Sequence, residues 1–123
     1  MESLFVMLIV IFTYNREKMV KELINSVPSH HRLVVIDDGT KGINRPLMYD
    51  ICDTFYPTQH TGKKGFYNKW QLAFKDFNGS LDDYVCFLPD DVTNVDWESI
   101  ERFTKQGWDN MRFAINLSNS GTR

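Results

Sequence analysis

The sequence predicts an α/β domain with a mostly parallel sheet flanked by helices, and three observations indicate that fold class. Apolar runs that suit strands alternate with segments whose apolar residues recur at helical spacing. The first run, Leu4–Phe12, contains no polar residue, as expected of a central strand covered on both faces. Two further runs, at 33–36 and 84–88, each lead into a pair of aspartates. We expect a single domain over residues 1–123.

Composition places the chain among globular proteins. Hydrophobic residues make up 42% and charged residues 24%, so the chain is not of the disordered type. The net charge of -2 gives no electrostatic reason to expect nucleic-acid binding. The run at 4–12 is too short to span a bilayer and lacks the basic flank and cleavage site of a signal peptide. We therefore expect no transmembrane segment.

Cysteine and histidine residues do not indicate a metal site in this sequence. Cys52 and Cys86 lack metal-ligand spacing and are interpreted as two reduced, buried thiols, which favours a cytoplasmic protein. His30 and His31 lie in a short polar connector. We interpret them as an exposed loop pair with no third ligand nearby.

The first helix is predicted from about residue 17 to residue 27. Thr13 and Asn15 are suitable N-cap residues, although they also follow a strand directly, where ligands bind. Glu17 falls in the first helical turn, where the helix dipole favours it. Pro28 ends the helix.

The remaining elements follow in alternation. Gly39 is free to take a positive φ in the turn after the second strand, Pro46 suits the first turn of a helix, and Asp96 caps another. The predicted helices span 45–55, 66–77 and 97–107, and the later strands span 56–60, 84–88 and 111–117. One face of the helix at 66–77 carries residues that we interpret mostly as core: Phe66, Trp70, Ala73, Phe74 and Phe77.

The pairs Asp37-Asp38 and Asp90-Asp91 both follow apolar strands. Because the carboxyl ends of parallel strands meet at one sheet edge, where ligands bind, the pairs predict one shared site. Carboxylate oxygens are the ligands that hard divalent cations prefer. Aspartates are also common in turns and helix caps, so either pair alone is equally well explained by local structure.

Three segments, taken in order, resemble motifs of GT-A glycosyltransferases, particularly the large family 2 group: TYNR at 13–16, VIDDGT at 35–40 and FLPDD at 87–91. Gly62 and Asn68 keep the spacing of a further family segment. The chain departs from the family where Phe66-Tyr67 replaces an Ala-Arg pair, and Lys63, Lys64 or Lys69 could supply that basic contact. It departs again at Pro89, which stands where the first aspartate of the metal motif is usual.

The resemblance implies a short form of the GT-A type, with a Rossmann-like sheet, that binds a nucleotide-diphospho-sugar such as a UDP- or GDP-sugar. Asp91 would hold Mn²⁺ or Mg²⁺, since it matches the last aspartate of the family's metal motif. The base and ribose would be held by Thr13, Tyr14 and Asn15 together with Asp37 and Asp38. The other implied nucleotide-site residues are Arg16, Gly39, Lys63, Lys64, Asn68 and Asp90.

In the family, the acceptor-binding half and the catalytic base of inverting members follow the metal motif. We therefore expect this chain to bind the donor but to transfer sugar poorly to an unidentified acceptor, unless a partner chain or a homodimer completes the site. One alternative is a nucleotide-sugar-binding protein without turnover. Another is a receiver-type phospho-acceptor signalling domain, which is disfavoured because the first strand does not end in acidic residues and no Lys-Pro follows the last.

Overall fold

The computed structural model of the chain describes residues 6–75 and 84–105, which form a parallel sheet with helices on both faces. The strands are β1 (Met7–Thr13), β2 (Arg32–Asp37), β3 (Thr54–Pro57) and β4 (Tyr84–Pro89), in the spatial order β3-β2-β1-β4. The helices are α1 (Glu17–Ser26), α2 (Arg45–Ile51), α3 (Phe66–Lys75) and α4 (Trp97–Lys105), and a 3-10 turn at Gly62–Gly65 precedes α3. Over these two ranges, no helix combines the length and apolar character needed to cross a membrane.

β1 is the central strand, as its apolar sequence predicts. It pairs in parallel with β2 on one side and β4 on the other, so that Ile9 lies between Leu33 and Cys86. Met7, Ile9 and Ile11 pack against a core that includes α1, α2 and α4. The alternating residues, such as Val10, face the opposite side of the sheet, where Ala73 of α3 is buried. The predicted α/β class with a parallel sheet flanked by helices is confirmed.

The strand order tests the alternative of a receiver-type signalling domain. In receiver domains the order is 2-1-3-4-5, so β3 lies beside β1. Here β3 lies beside β2, and β4 takes the place beside β1. The receiver-type alternative is therefore wrong.

The boundary between α2 and β3 differs from the prediction. We predict a helix to residue 55, but α2 ends at Ile51 and the chain is already extended at Cys52. Phe55 lies in β3, where it pairs with Val35 and is buried. The carboxylate of Asp53 fixes this change because it accepts from the backbone N–H of Leu33 at 2.6 Å. Pairing with β2 thus overrides the local helical pattern.

Several predictions about single residues are also settled. Gly39 takes a φ of +85°, Pro46 lies in the first turn of α2, and Asp96 accepts from Ser99 N–H at the start of α4, as predicted. Ala73 is buried as expected, whereas Phe74 is 44% exposed and is an exception to the mostly buried face that we predict. Outside the described part of the chain lie the predicted strand at 111–117, Phe77 and the side chains of Phe66 and Trp70.

Cys52 and Cys86 are both free and buried, as predicted. Burial raises the pKa of each thiol to about 12, with the charge of Asp53 adding to the effect at Cys52. Both side chains therefore act as small apolar core residues rather than as reactive groups.

Candidate nucleotide site at the carboxyl edge of the sheet

A cleft of about 500 Å³ opens at the carboxyl ends of β1, β2 and β4. Part of its lining is apolar and includes Phe12, Ile36 and Phe87, which belong to the side of the sheet that α3 covers. The charged and aromatic polar residues of the lining are Tyr14, Arg16, Asp38, His60, Lys63, Lys69 and Asp90. An apolar cleft with a few convergent polar groups is typical of a small-molecule site.

Asp90 is the buried member of the second acidic pair. Its Oδ2 accepts from the Thr13 hydroxyl at 2.9 Å and from the backbone N–H of Tyr14 at 3.1 Å. Its Oδ1 accepts from the Arg16 guanidinium at 2.9 Å, and the Asp90 side chain is only 8% exposed. Asp90 therefore ties the end of β4 to the loop after β1.

These contacts correct the predicted start of α1. Arg16 is the N-cap residue and no side chain caps the helix, so neither Thr13 nor Asn15 acts as the predicted cap. Thr13 is instead buried against Asp90. Asn15 has a φ of +55° and donates its backbone N–H to Thr40 at 2.8 Å. The loop after β1 is thus shaped by contacts to other strand ends.

Asp91 is the exposed member of the pair, with 53% of its side chain accessible. Its Oδ2 lies 3.5 Å from the guanidinium of Arg16, which bridges both aspartates. The hydrogen bond from Arg16 to Asp90 and the charges of both carboxylates raise the pKa of Arg16 further above its usual value. The guanidinium of Arg16 therefore balances part of the negative charge of this acidic pair.

Asp37 is committed to the turn after β2. Its carboxylate accepts from the N–H groups of Gly39 at 3.2 Å and Thr40 at 2.8 Å, and from the Thr40 hydroxyl at 2.5 Å. The residue is 1% exposed and does not line the cleft. A Cβ on Gly39 would lie 2.6 Å from the backbone nitrogen of His60, so this turn also requires glycine for space.

Asp38 organises the loop after β3. Its carboxylate accepts from His60 Nδ1 at 2.9 Å and from the backbone N–H groups of Thr61 and Gly62, each at 3.0 Å, and it forms an ion pair with Lys69. Burial alone would raise the carboxyl pKa, but the hydrogen bonds from Lys69, Thr61 and Gly62 outweigh it and lower the pKa to about 2. Each carboxylate oxygen already accepts from at least two groups of the protein, so in this structure Asp38 serves to hold the loop.

Tyr14 and His60 stack on each other beside the cleft. Their ring centroids are 4.2 Å apart with an interplanar angle of 17°. Tyr14 is 39% exposed, which leaves aromatic surface accessible to a ligand. The stack joins the loop after β1 to the loop after β3, so the planar surface of the site is built by two separate segments.

The other predicted residues lie at different distances from the cleft. Lys63, in the 3-10 turn, belongs to its lining, whereas the neighbouring exposed Lys64 does not. Asn68 is exposed on α3 and also lies outside the lining. The structure therefore brings Tyr14, Arg16, Asp38, Lys63 and Asp90 together with Thr13 and leaves out Asn15, Asp37, Gly39, Lys64, Asn68 and Asp91.

Sequence reasoning missed His60 and the apolar lining from Phe12 and Phe87. One signal was present for each. His60 comes shortly after a strand, at the same sheet edge as the acidic pairs, and the two phenylalanines stand near the ends of apolar strands. No local pattern shows that His60 contacts Asp38, because 22 positions separate them along the chain.

A second cluster lies at the opposite end of the sheet and corrects the interpretation of the histidine pair. His31 is buried, and Glu101 Oε1 lies 2.5 Å from His30 Nε2 and 2.6 Å from His31 Nε2. The second contact is a close approach without a hydrogen bond, since His31 Nε2 has no hydrogen-bond partner among the described residues. The expected exposed pair without a third ligand is therefore wrong, and the three side chains are close enough to suggest a metal site.

The tautomer of His31 argues against a metal there. The backbone N–H of Met7 donates to His31 Nδ1 at 3.0 Å, so the neutral ring carries its proton on Nε2. A protonated Nε2 has no lone pair for a metal ion. Burial, followed by the charge of His30, lowers the pKa of His31, which keeps the ring neutral. We interpret the cluster as a structural contact that fastens α4 to the start of β1.

The parallel sheet, its strand order and the cleft at the carboxyl edge define a Rossmann-like α/β domain of the GT-A type. Among solved structures, the chain is similar to S. aureus TarS 1-349, a glycosyltransferase, with a TM-score of 0.58 and 20% identity over 80% of this chain. The chain spans 31% of the length of that structure. No protein-family model and no curated protein matches the sequence. The relation to GT-A-like glycosyltransferases is therefore a distant structural one.

Proposed function

We propose that this chain binds a nucleotide-diphospho-sugar, with UDP- and GDP-sugars as the candidate donors, and forms the donor-binding part of a glycosyltransferase. The observation that carries the proposal is the meeting of Asp90, Arg16 and an exposed Tyr14 at one cleft, with Asp91 beside it at 3.5 Å from Arg16. That cleft lies at the edge of a parallel sheet where ligands bind in open α/β folds. The distant likeness to a glycosyltransferase supports the same class of function.

The chemistry of the cleft suits a nucleotide. The exposed ring of Tyr14 offers a face on which a base can stack, and the apolar lining can take up the edge of the ring system. Arg16 and Lys63 supply positive charge for a diphosphate, and a guanidinium donates to phosphate oxygens in a planar fork. Asp38 contributes indirectly, because it holds Lys69 and His60 in place.

A divalent cation, Mn²⁺ or Mg²⁺, remains part of the proposal, with Asp91 as its protein ligand. Mg²⁺ is commonly bound by one or two carboxylates together with substrate phosphates and water, which fits a single exposed carboxylate. Asp90 does not fit as a second ligand, because both of its oxygens accept hydrogen bonds from the protein. When bound, the cation would supply Lewis-acid stabilisation of a leaving diphosphate.

Calorimetric titration of the purified chain tests the proposal. UDP, GDP and their sugars would be titrated with and without Mn²⁺, and we expect at least one nucleoside diphosphate to bind. Asp38→Ala should weaken that binding with and without metal, since it frees Lys69 and His60. The absence of binding to any nucleoside diphosphate, in any of these conditions, would refute the proposal.

Sugar transfer is a further part of the proposal. An inverting transferase needs a base within hydrogen-bond reach of the acceptor hydroxyl. We propose that a partner chain or a second copy of this chain supplies the acceptor side. We also propose that the protein acts in the cytoplasm, where its buried thiols stay reduced. Transfer and donor hydrolysis would be measured over a range of protein concentrations. Efficient transfer that does not depend on protein concentration would contradict a need for self-association.

A further inference from the structure

The acidic pair after β4 has fewer carboxylate oxygens available to a cation than its two aspartates suggest. Both oxygens of Asp90 are engaged, by Thr13, Tyr14 and Arg16, and its side chain is 8% exposed. Turning this carboxylate toward a cation would leave the backbone N–H of Tyr14 without its acceptor, which is costly in a partly buried position. Of the acidic pair, Asp91 is therefore the carboxylate that a divalent cation can reach.

A positive charge is already present at that carboxylate. Arg16 Nη1 lies 2.9 Å from Asp90 Oδ1 and 3.5 Å from Asp91 Oδ2. A divalent cation on Asp91 would have to sit next to the guanidinium and would be repelled by it. The two cations therefore compete for one carboxylate, and Arg16 is fixed in the site by its shorter bond to the buried Asp90.

The same guanidinium is available to a ligand. Arg16 lines the cleft, and 48% of its side chain is exposed. A guanidinium has five N–H donors, of which its contacts with the two aspartates use only some. The remaining donors suit phosphate oxygens, and Lys63 adds a second positive charge to the same lining.

We infer that Arg16 takes the place of a divalent cation at the acidic pair, so that the site binds a nucleoside diphosphate without metal and binds metal weakly until the nucleotide is present. This inference rests on the proposed function and specifies which positive charge at the same site faces the diphosphate. It predicts that removing the guanidinium makes nucleotide binding dependent on metal.

The test compares Arg16→Gln with Lys18→Gln, which removes the same charge from an exposed position on α1. UDP and GDP would be titrated in EDTA and in Mn²⁺, and Mn²⁺ alone would be titrated by its electron paramagnetic resonance signal. We expect the natural chain and Lys18→Gln to bind nucleoside diphosphate in EDTA within about 10-fold of their affinity in Mn²⁺. The affinity of Arg16→Gln for a nucleoside diphosphate should fall by about 10-fold or more in EDTA, since a hydrogen bond to a charged group is lost. Mn²⁺ should restore that affinity. Arg16→Gln should also bind Mn²⁺ alone more tightly than the natural chain does.

The outcomes separate this inference from the proposed function. If the natural chain binds a nucleoside diphosphate only with Mn²⁺, the proposed function stands and the role of Arg16 is refuted. If Arg16→Gln loses the same factor with and without Mn²⁺, Arg16 is an ordinary phosphate contact and the inference is again wrong. If no nucleoside diphosphate binds in either condition, both fall. Far-ultraviolet circular dichroism of each variant would confirm that it is folded.

Discussion

Asp38→Asn tests whether the charge of Asp38 holds the loop after β3. The pKa of this carboxyl is lowered from 3.8 to about 2. At about 1.4 kcal/mol per unit, the difference corresponds to roughly 2.4 kcal/mol in favour of the folded state at neutral pH. Water reaches 20% of the side chain, so screening reduces this value, and we expect a loss of about 1–2 kcal/mol in the free energy of unfolding.

The dependence on pH gives this prediction its sign. Because folding lowers the pKa, the unfolded chain binds the proton more tightly, and the stabilisation is present above pH 3.8 and lost as the pH falls toward 2. Urea unfolding of the natural chain and of Asp38→Asn, followed by circular dichroism, would show their difference shrink to roughly half between pH 7 and pH 3.

Glu22→Gln is the control for Asp38→Asn, because it removes the same charge from an exposed position on α1. We expect it to change the free energy of unfolding by less than about 0.5 kcal/mol. An effect of Asp38→Asn that is no larger than that of the control, or that stays constant down to pH 3, would refute the role assigned to the Asp38 charge.

Three further predictions concern other parts of the chain. Asp91→Asn should remove the part of nucleotide binding that depends on Mn²⁺. Because the Asp91 side chain is half-exposed, the substitution should change the free energy of unfolding by less than about 0.5 kcal/mol. Unchanged Mn²⁺ dependence in calorimetry would contradict Asp91 as the metal ligand. Gly39→Ala should destabilise the fold by about 1–3 kcal/mol, and by more than Gly42→Ala. Both glycines have a positive φ, but of the two only Gly39 would place a new Cβ against the backbone of His60. Equal losses in thermal unfolding would exclude that clash. The lowered pKa of His31 means that the unfolded chain binds its proton more tightly, so stability should fall as the pH drops below 6.5; a His31→Gln variant with the same slope between pH 6.5 and 5 would disprove it.

The sequence was sufficient to predict the layers of this fold. β1 is apolar throughout because it is covered on both faces, and the acidic pairs fall at strand ends because the strands are parallel. The boundary at Phe55 was not predictable, since its place in β3 depends on pairing with Val35. Local helical spacing does not reveal such a partner.

The site was predictable in position but not in detail. The two aspartates after β4 look alike in the sequence, yet Asp90 is buried and Asp91 is exposed. The difference arises from donors in and after β1, such as Thr13, which lies 77 positions from Asp90 along the chain. His31 shows the same limit, because Glu101, the neighbour that changed its interpretation, comes 70 positions later. Side-chain partners of this kind are set by tertiary structure.

The central place of β1 has a consequence for how the chain folds. β1 is made first during synthesis, but one of its two neighbours, β4, is made more than 70 residues later. Until Tyr84–Pro89 arrives, one edge of an apolar strand lacks its partner, and Asp90 cannot fasten the loop after β1. Pairings between such distant segments are slow to form and leave strand edges exposed meanwhile. We expect the cleft to be among the last features of the molecule to assemble, and chains interrupted before β4 to aggregate rather than to retain a partial site.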